Sequence, residues 1–157
     1  MNVERLQMLQ DLITRVSDGK WYGGEPIRHH NFLGFKWPKK NNLHFNLGYW
    51  FSPRKIGDGA CAVGHAMLDK NFQALGFNHS KRGMVPQFEG KLGFDAVCAF
   101  FDITPKTATL LFSPLSYSQD NWRDPIWFLL RLDWLLHNAH CDEDKFKLDY
   151  EQYGKLI

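Results

Sequence analysis

The chain has 157 residues, of which 44% are hydrophobic, and a formal net charge of +2. That length and apolar content suit one domain with a sizeable core and exclude disorder, while the charge is too small to point to nucleic acid by itself. Three cysteines with no Cys-x-x-Cys pair exclude a disulfide framework, and apolar runs such as Ile126 to Leu130 are far too short for a membrane span.

Charge is unevenly spread. Residues 1–82 hold 12 Lys/Arg against 6 Asp/Glu, and residues 83–157 hold 7 against 11. Such polarity can orient a partner. The N-terminus mixes polar and apolar residues and does not read as a secretory signal. The expectation is a reduced, cytoplasmic protein with no membrane association. Six Trp and 13 Phe imply either an aromatic interior or an aromatic surface that meets a partner.

In chain order, Val3, Leu6, Leu9, Ile13 and Val16 recur at helical spacing up to Gly19, which predicts an amphipathic helix over 3–18. Residues 20–42 carry Gly23, Gly24, Pro26, Gly34 and Pro38 and read as irregular. Leu43, Phe45, Leu47, Tyr49 and Phe51 alternate with more polar residues, the period of a strand, which Pro53 ends. A second helix is expected from Gly59–Cys61 to Gly76, then a loop over 77–92 and a third helix over 94–101. Thr104-Pro105 and Asp124-Pro125 each read as a cap followed by proline at the first helical position. They open helices over 105–112 and 125–140. Beyond Asp142, Phe146, Leu148 and Tyr150 alternate and could pair with the 43–51 strand, with a helix as the alternative. The expected fold is α+β, mainly α: a single domain over residues 1–157, with four to five helices around one core and a small antiparallel strand pair.

The segment Gly57-Asp58-Gly59-Ala60-Cys61-Ala62-Val63-Gly64-His65-Ala66 carries the most chemistry. A thiol at a helix N-terminus feels the positive end of the helix dipole, which favours thiolate, and His65 lies one turn on. Cys61 and His65 are therefore the candidate catalytic pair of a cysteine-dependent hydrolase or transferase. His44, His79 or His137 could equally supply the base. The opposing reading makes Cys61 a small buried apolar residue and Gly64 a site of close helix packing.

Other signals are thinner. His137, His140 and Cys141 could hold a metal, but no second ligand cluster accompanies them, so capping by the histidines is the preferred reading and neither metal nor cofactor is expected. Residues 96–112 resemble a helix-turn-helix, yet the second helix offers only Lys106 and threonines where a DNA reader needs Arg, Lys, Asn or Gln. Basic loops at Arg28-His29-His30, Lys36-Trp37-Pro38-Lys39-Lys40 and Lys81-Arg82 leave single-stranded nucleic acid as a further alternative.

Three stretches, Phe45-Asn46-Leu47-Gly48-Tyr49-Trp50, Gly59 to Ala66, and Ala99-Phe100-Phe101-Asp102-Ile103 with Ala108 and Leu111-Phe112-Ser113-Pro114, resemble in their order short uncharacterised proteins of bacteriophages and bacteria. Those carry a Phe-Asn/Asp-Met/Leu-x-x-Trp stretch, a Cys-x-x-Gly-x-Ala helix start and an Ala-x-x-Phe/Leu-Gly-Leu/Ile…Leu-Phe helix pair. The resemblance covers about residues 43–117. Asp102 stands where that group usually has glycine, and Asp tolerates the left-handed turn better than most residues. The resemblance implies a small cytosolic protein from a phage or mobile element and no established activity. Taken together, the expectation is a non-enzymatic interaction protein, phage-encoded and binding or inhibiting a host protein. Its candidate binding residues are Trp21, Tyr22, Phe35, Lys36, Trp37, Lys39, Lys40 and Trp122.

Overall fold

A computed structural model describes residues 1–18, 43–52, 58–80, 85–118 and 121–138. Among these residues the chain forms helix α1 (Val3–Ser17), strands β1 (Leu43–Phe45), β2 (Phe51–Ser52) and β3 (Asp58–Ala60), and helices α2 (Ala62–Leu68) and α3 (Lys70–Ala74). Strands β4 (Asn78–His79), β5 (Pro86–Phe88) and β6 (Lys91–Leu92) follow, then helices α4 (Gly93–Phe101) and α5 (Pro105–Phe112), a 3-10 turn (Pro114–Ser116) and helix α6 (Pro125–His137). The fold is mainly helical with a small antiparallel sheet, as the sequence leads one to expect.

Helix α1 starts where the Asn2 side chain accepts from the Arg5 N–H at 3.1 Å. It buries Leu6, Leu9, Leu12 and Ile13, the face set by the 3.6-residue period, and packs mainly against α6. The Arg5 guanidinium donates to the Phe100 carbonyl at 2.6 Å and lies over the Phe100 ring, which ties the start of α1 to the end of α4. Both Pro-headed helices begin as predicted: Thr104 accepts from Thr107 N–H at 3.2 Å, and Asp124 accepts from Ile126 N–H at 3.0 Å. Asp102 occupies the left-handed region (φ 51°, ψ 52°) between α4 and α5.

Three expectations need correction. The strand over 43–51 is two strands, because the Asn46 side chain accepts from Gly48 N–H at 2.8 Å and turns the chain. β1 then pairs parallel to β3 and β2 pairs antiparallel to it, in the order β1-β3-β2. The helix over 61–76 is broken at Asp69, which is extended (ψ 138°) and accepts from Asn71 N–H at 2.8 Å, so it stops α2 and caps α3. The loop over 77–92 is a three-stranded antiparallel sheet, β4-β5-β6. Its tight hairpin turns on Glu89 (φ 48°) and Gly90 (φ 78°), the paired positive φ of a type I′ connection. The C-terminal strand or helix expected beyond Asp142, and the last turn expected for the 125–140 helix, lie outside the described residues.

The abundance of phenylalanine resolves into an aromatic interior. Phe77 and Phe100 stack at 4.4 Å, Phe100 meets Phe101 edge-on at 5.0 Å, and Phe101 continues to Phe112 at 5.6 Å and Phe112 to Phe128 at 5.8 Å. Every residue of α2 is buried, so this helix lies within the core rather than on it. No helix among the described residues is long and apolar enough to cross a membrane.

Candidate functional site

The start of α2 is built by small residues. A Cβ placed on Gly64 would stand 1.6 Å from the Trp50 carbonyl oxygen and 2.9 Å from the Ala60 methyl, so only glycine permits this approach of helix to turn. Cys61 is the N-cap: its Sγ accepts from Gly64 N–H at 3.4 Å and its own N–H donates to the Tyr49 carbonyl at 3.1 Å. The Cys-x-x-Gly spacing is thus a capping and packing device. The cysteine meets a free amide of the helix's first turn, and the glycine that carries it meets the neighbouring backbone.

The same geometry bears on reactivity. Cys61 is 2% exposed, and burial pushes its thiol up to about 11 despite hydrogen bonds from the Gly64 and Val63 amides. Desolvation outweighs the helix N-terminus, and the group is a neutral thiol at neutral pH. His65 is fully buried, with its imidazole stacked on Phe45 at 6.4 Å and 4° between planes. Burial holds it down to about 3, so it is neutral too. Of the other candidate bases, His44 is exposed, His79 is buried with Nδ1 3.3 Å from the Ser80 carbonyl, and His137 is exposed with Nδ1 2.8 Å from the Asp133 carbonyl. Among the described residues no three His, Cys, Asp or Glu side chains gather to hold a metal. His140 and Cys141 lie outside those residues.

Cys61 nonetheless reaches a surface feature. It forms the floor of a cavity of about 380 Å³. One lip is the turn Leu47, Gly48, Tyr49, Trp50 and Phe51; the other is Phe94 from the first turn of α4, with Phe112 and Pro114 from the end of α5. Among the described residues the lining contains no charged residue. The Trp50 and Phe94 rings meet edge-on at 5.1 Å across it. Phe94 is 38% exposed, and two further apolar side chains stand beside lining residues in the chain: Leu92 at 53% and Leu115 at 90%.

Of the candidate binding residues, Trp122 is half-buried beside this groove, and its indole N–H donates to the Pro114 carbonyl at 3.0 Å. Trp21, Tyr22, Phe35, Lys36, Trp37, Lys39 and Lys40 lie outside the described residues. The 96–112 segment folds as α4 and α5 joined through Asp102, but α5 turns Thr107, Ala108, Leu111 and Phe112 into the core and carries Lys106 as its one charged residue. The groove residues Trp50, Phe94 and Pro114 escape the sequence reading. The available signal is the Asn46–Gly48 pair, which marks a turn inside an apparent strand and so frees Trp50 from strand alternation.

Comparison with protein-family models, curated proteins and solved structures gives no match.

Proposed function

We propose that this chain is a non-enzymatic protein-interaction module whose groove receives an uncharged apolar side chain of a partner protein. The observation that carries this reading is the groove itself: a cleft whose described lining residues are mostly aromatic and aliphatic and include no ionised group, flanked by exposed Leu92, Phe94 and Leu115. A cleft walled by aromatic and aliphatic side chains offers a seat for a hydrophobic anchor, and anchors of this kind dominate protein interfaces. The raised thiol and the neutral, core-packed His65 favour binding over acyl transfer at the same place. The resemblance to short phage and bacterial proteins makes a host protein the expected source of the anchor.

Selection of random peptides displayed against the immobilised protein tests this. The expected result is enrichment of Leu, Ile, Phe or Trp at one position, with binding lost in Phe94→Glu. Charged consensus peptides, or peptides indifferent to Phe94→Glu, would contradict it.

A further inference from the structure

We infer that Trp122 is the positioning residue of the groove, a staple that sets the separation of its two lips from behind. The inference rests on the groove reading above.

Trp122 engages the first lip twice. Its carbonyl accepts from Leu47 N–H at 2.9 Å, and its ring lies beside Gly48, where a Cβ would be in van der Waals contact with Cε3 at 3.5 Å. It engages the second lip through the indole N–H, which donates to the Pro114 carbonyl at 3.0 Å. Leu47, Gly48 and Pro114 line the cavity, whereas Trp122 does not. Its contacts therefore act on shape and not on any occupant.

Each lip also has a support of its own. The first is turned by Asn46, whose side chain accepts from Gly48 N–H. The second is fixed to α5 and α6, where Ser116 Oγ donates to the Thr109 carbonyl at 2.9 Å and Arg131 donates to the Ser116 carbonyl. These bonds hold each lip to its own base. Trp122 is hydrogen-bonded to both, so together with the Trp50–Phe94 ring contact it joins the two turns into one cleft of defined width. A residue that locks binding-site geometry through hydrogen bonds behind the contact surface governs how well a site is preorganised.

The test is a titration of the ¹⁵N-labelled full chain with indole, a neutral probe for an aromatic side chain, on wild type, W122F and L12V. W122F keeps a ring against Gly48 but removes the N–H that grips Pro114. L12V loses stability in the α1 core, away from the groove, and serves as the control for mere destabilisation. The expected result is that W122F binds indole about three- to tenfold more weakly, the effect of one hydrogen bond, while L12V binds as wild type. Unchanged indole affinity in W122F, or an equal loss in L12V, would overturn the staple. A wild type that binds no indole would overturn the groove reading as well, which separates the two failures. Should W122F not fold, the wild type alone decides. The Trp122 Nε1–H signal and the Gly48 and Leu115 amides should follow one saturation curve, and separate midpoints for the two lips would refute the coupling.

Discussion

The aromatic core and the junction between α2 and the 47–51 turn are held in different ways. The core is a run of rings from Phe77 through Phe100, Phe101 and Phe112 to Phe128, each touching its neighbours at 4.4–5.8 Å. Its stabilisation is spread over area, and no single bond dominates. The junction is held by close backbone approach at Gly64 and by a few directed hydrogen bonds that Cys61, Asn46 and Trp122 accept from the Gly64, Gly48 and Leu47 amides. The difference teaches that adding one methyl at the junction does at least as much harm as removing a whole ring from the core.

The largest expected effect follows from that contrast. Gly64→Ala puts a Cβ 1.6 Å from a backbone oxygen, which no rotamer can relieve. The fold must separate α2 from the turn, and the cost should exceed about 4 kcal/mol, the range reserved for diagnostic core failures. Thermal melting or recovery of soluble protein reads this; a Gly64→Ala protein melting within a few degrees of wild type breaks the comparison. Phe100→Ala should cost about 3–5 kcal/mol in denaturant unfolding, since the fully buried ring leaves a cavity that its neighbours fill only in part.

Next in size is the pH dependence from His65. Burial holds its folded value near 3 against 6.5 for the free side chain. The fold therefore favours the neutral ring, and its stability is intact above about 6.5. As pH falls from there towards about 3, the unfolded chain takes up a proton that the folded chain refuses. Stability should drop by about 1.4 kcal/mol per pH unit over that window. Denaturant midpoints measured between pH 7 and pH 4.5 should show this slope, and His65→Leu should remove its share. An unchanged slope in His65→Leu would place the acid sensitivity elsewhere. Smaller again is Cys61→Ala, which removes the N-cap acceptor for Gly64 N–H and should cost about 0.5–2 kcal/mol, with Cys61→Ser recovering part of it.

How far the fold was legible depended on whether local chemistry decided it. Helix α1 follows from its apolar period, and α5 and α6 from the caps Thr104-Pro105 and Asp124-Pro125, which open each helix within a few residues. Two of the three misreadings share one cause, a polar side chain turning back on its own backbone within an otherwise regular pattern. Asn46 does so inside the apparent strand and Asp69 inside the apparent helix. The β5–β6 hairpin hides behind Glu89, a residue that seldom takes positive φ.

The Cys61 segment was legible as a loop-to-helix start, but its burial was not. That burial depends on Trp50 and Ala60 closing over Gly64, a tertiary contact with no local mark. The groove was less legible still. Leu47, Phe94 and Pro114 come from three separate stretches, and only the folded chain brings them to one rim.

The central claim is that the helix start at Cys61 is a packing junction beneath an apolar groove and not a nucleophile. The most direct measurement is the pH profile of alkylation at Cys61 in the native protein, mapped by mass spectrometry beside Cys98, which is partly exposed. With the Cys61 thiol pushed up to about 11, Cys61 should react more slowly than Cys98 at pH 7.5 and gain rate only as the pH climbs towards that value. A Cys61 modified first, at a rate already level below pH 8, would contradict the account.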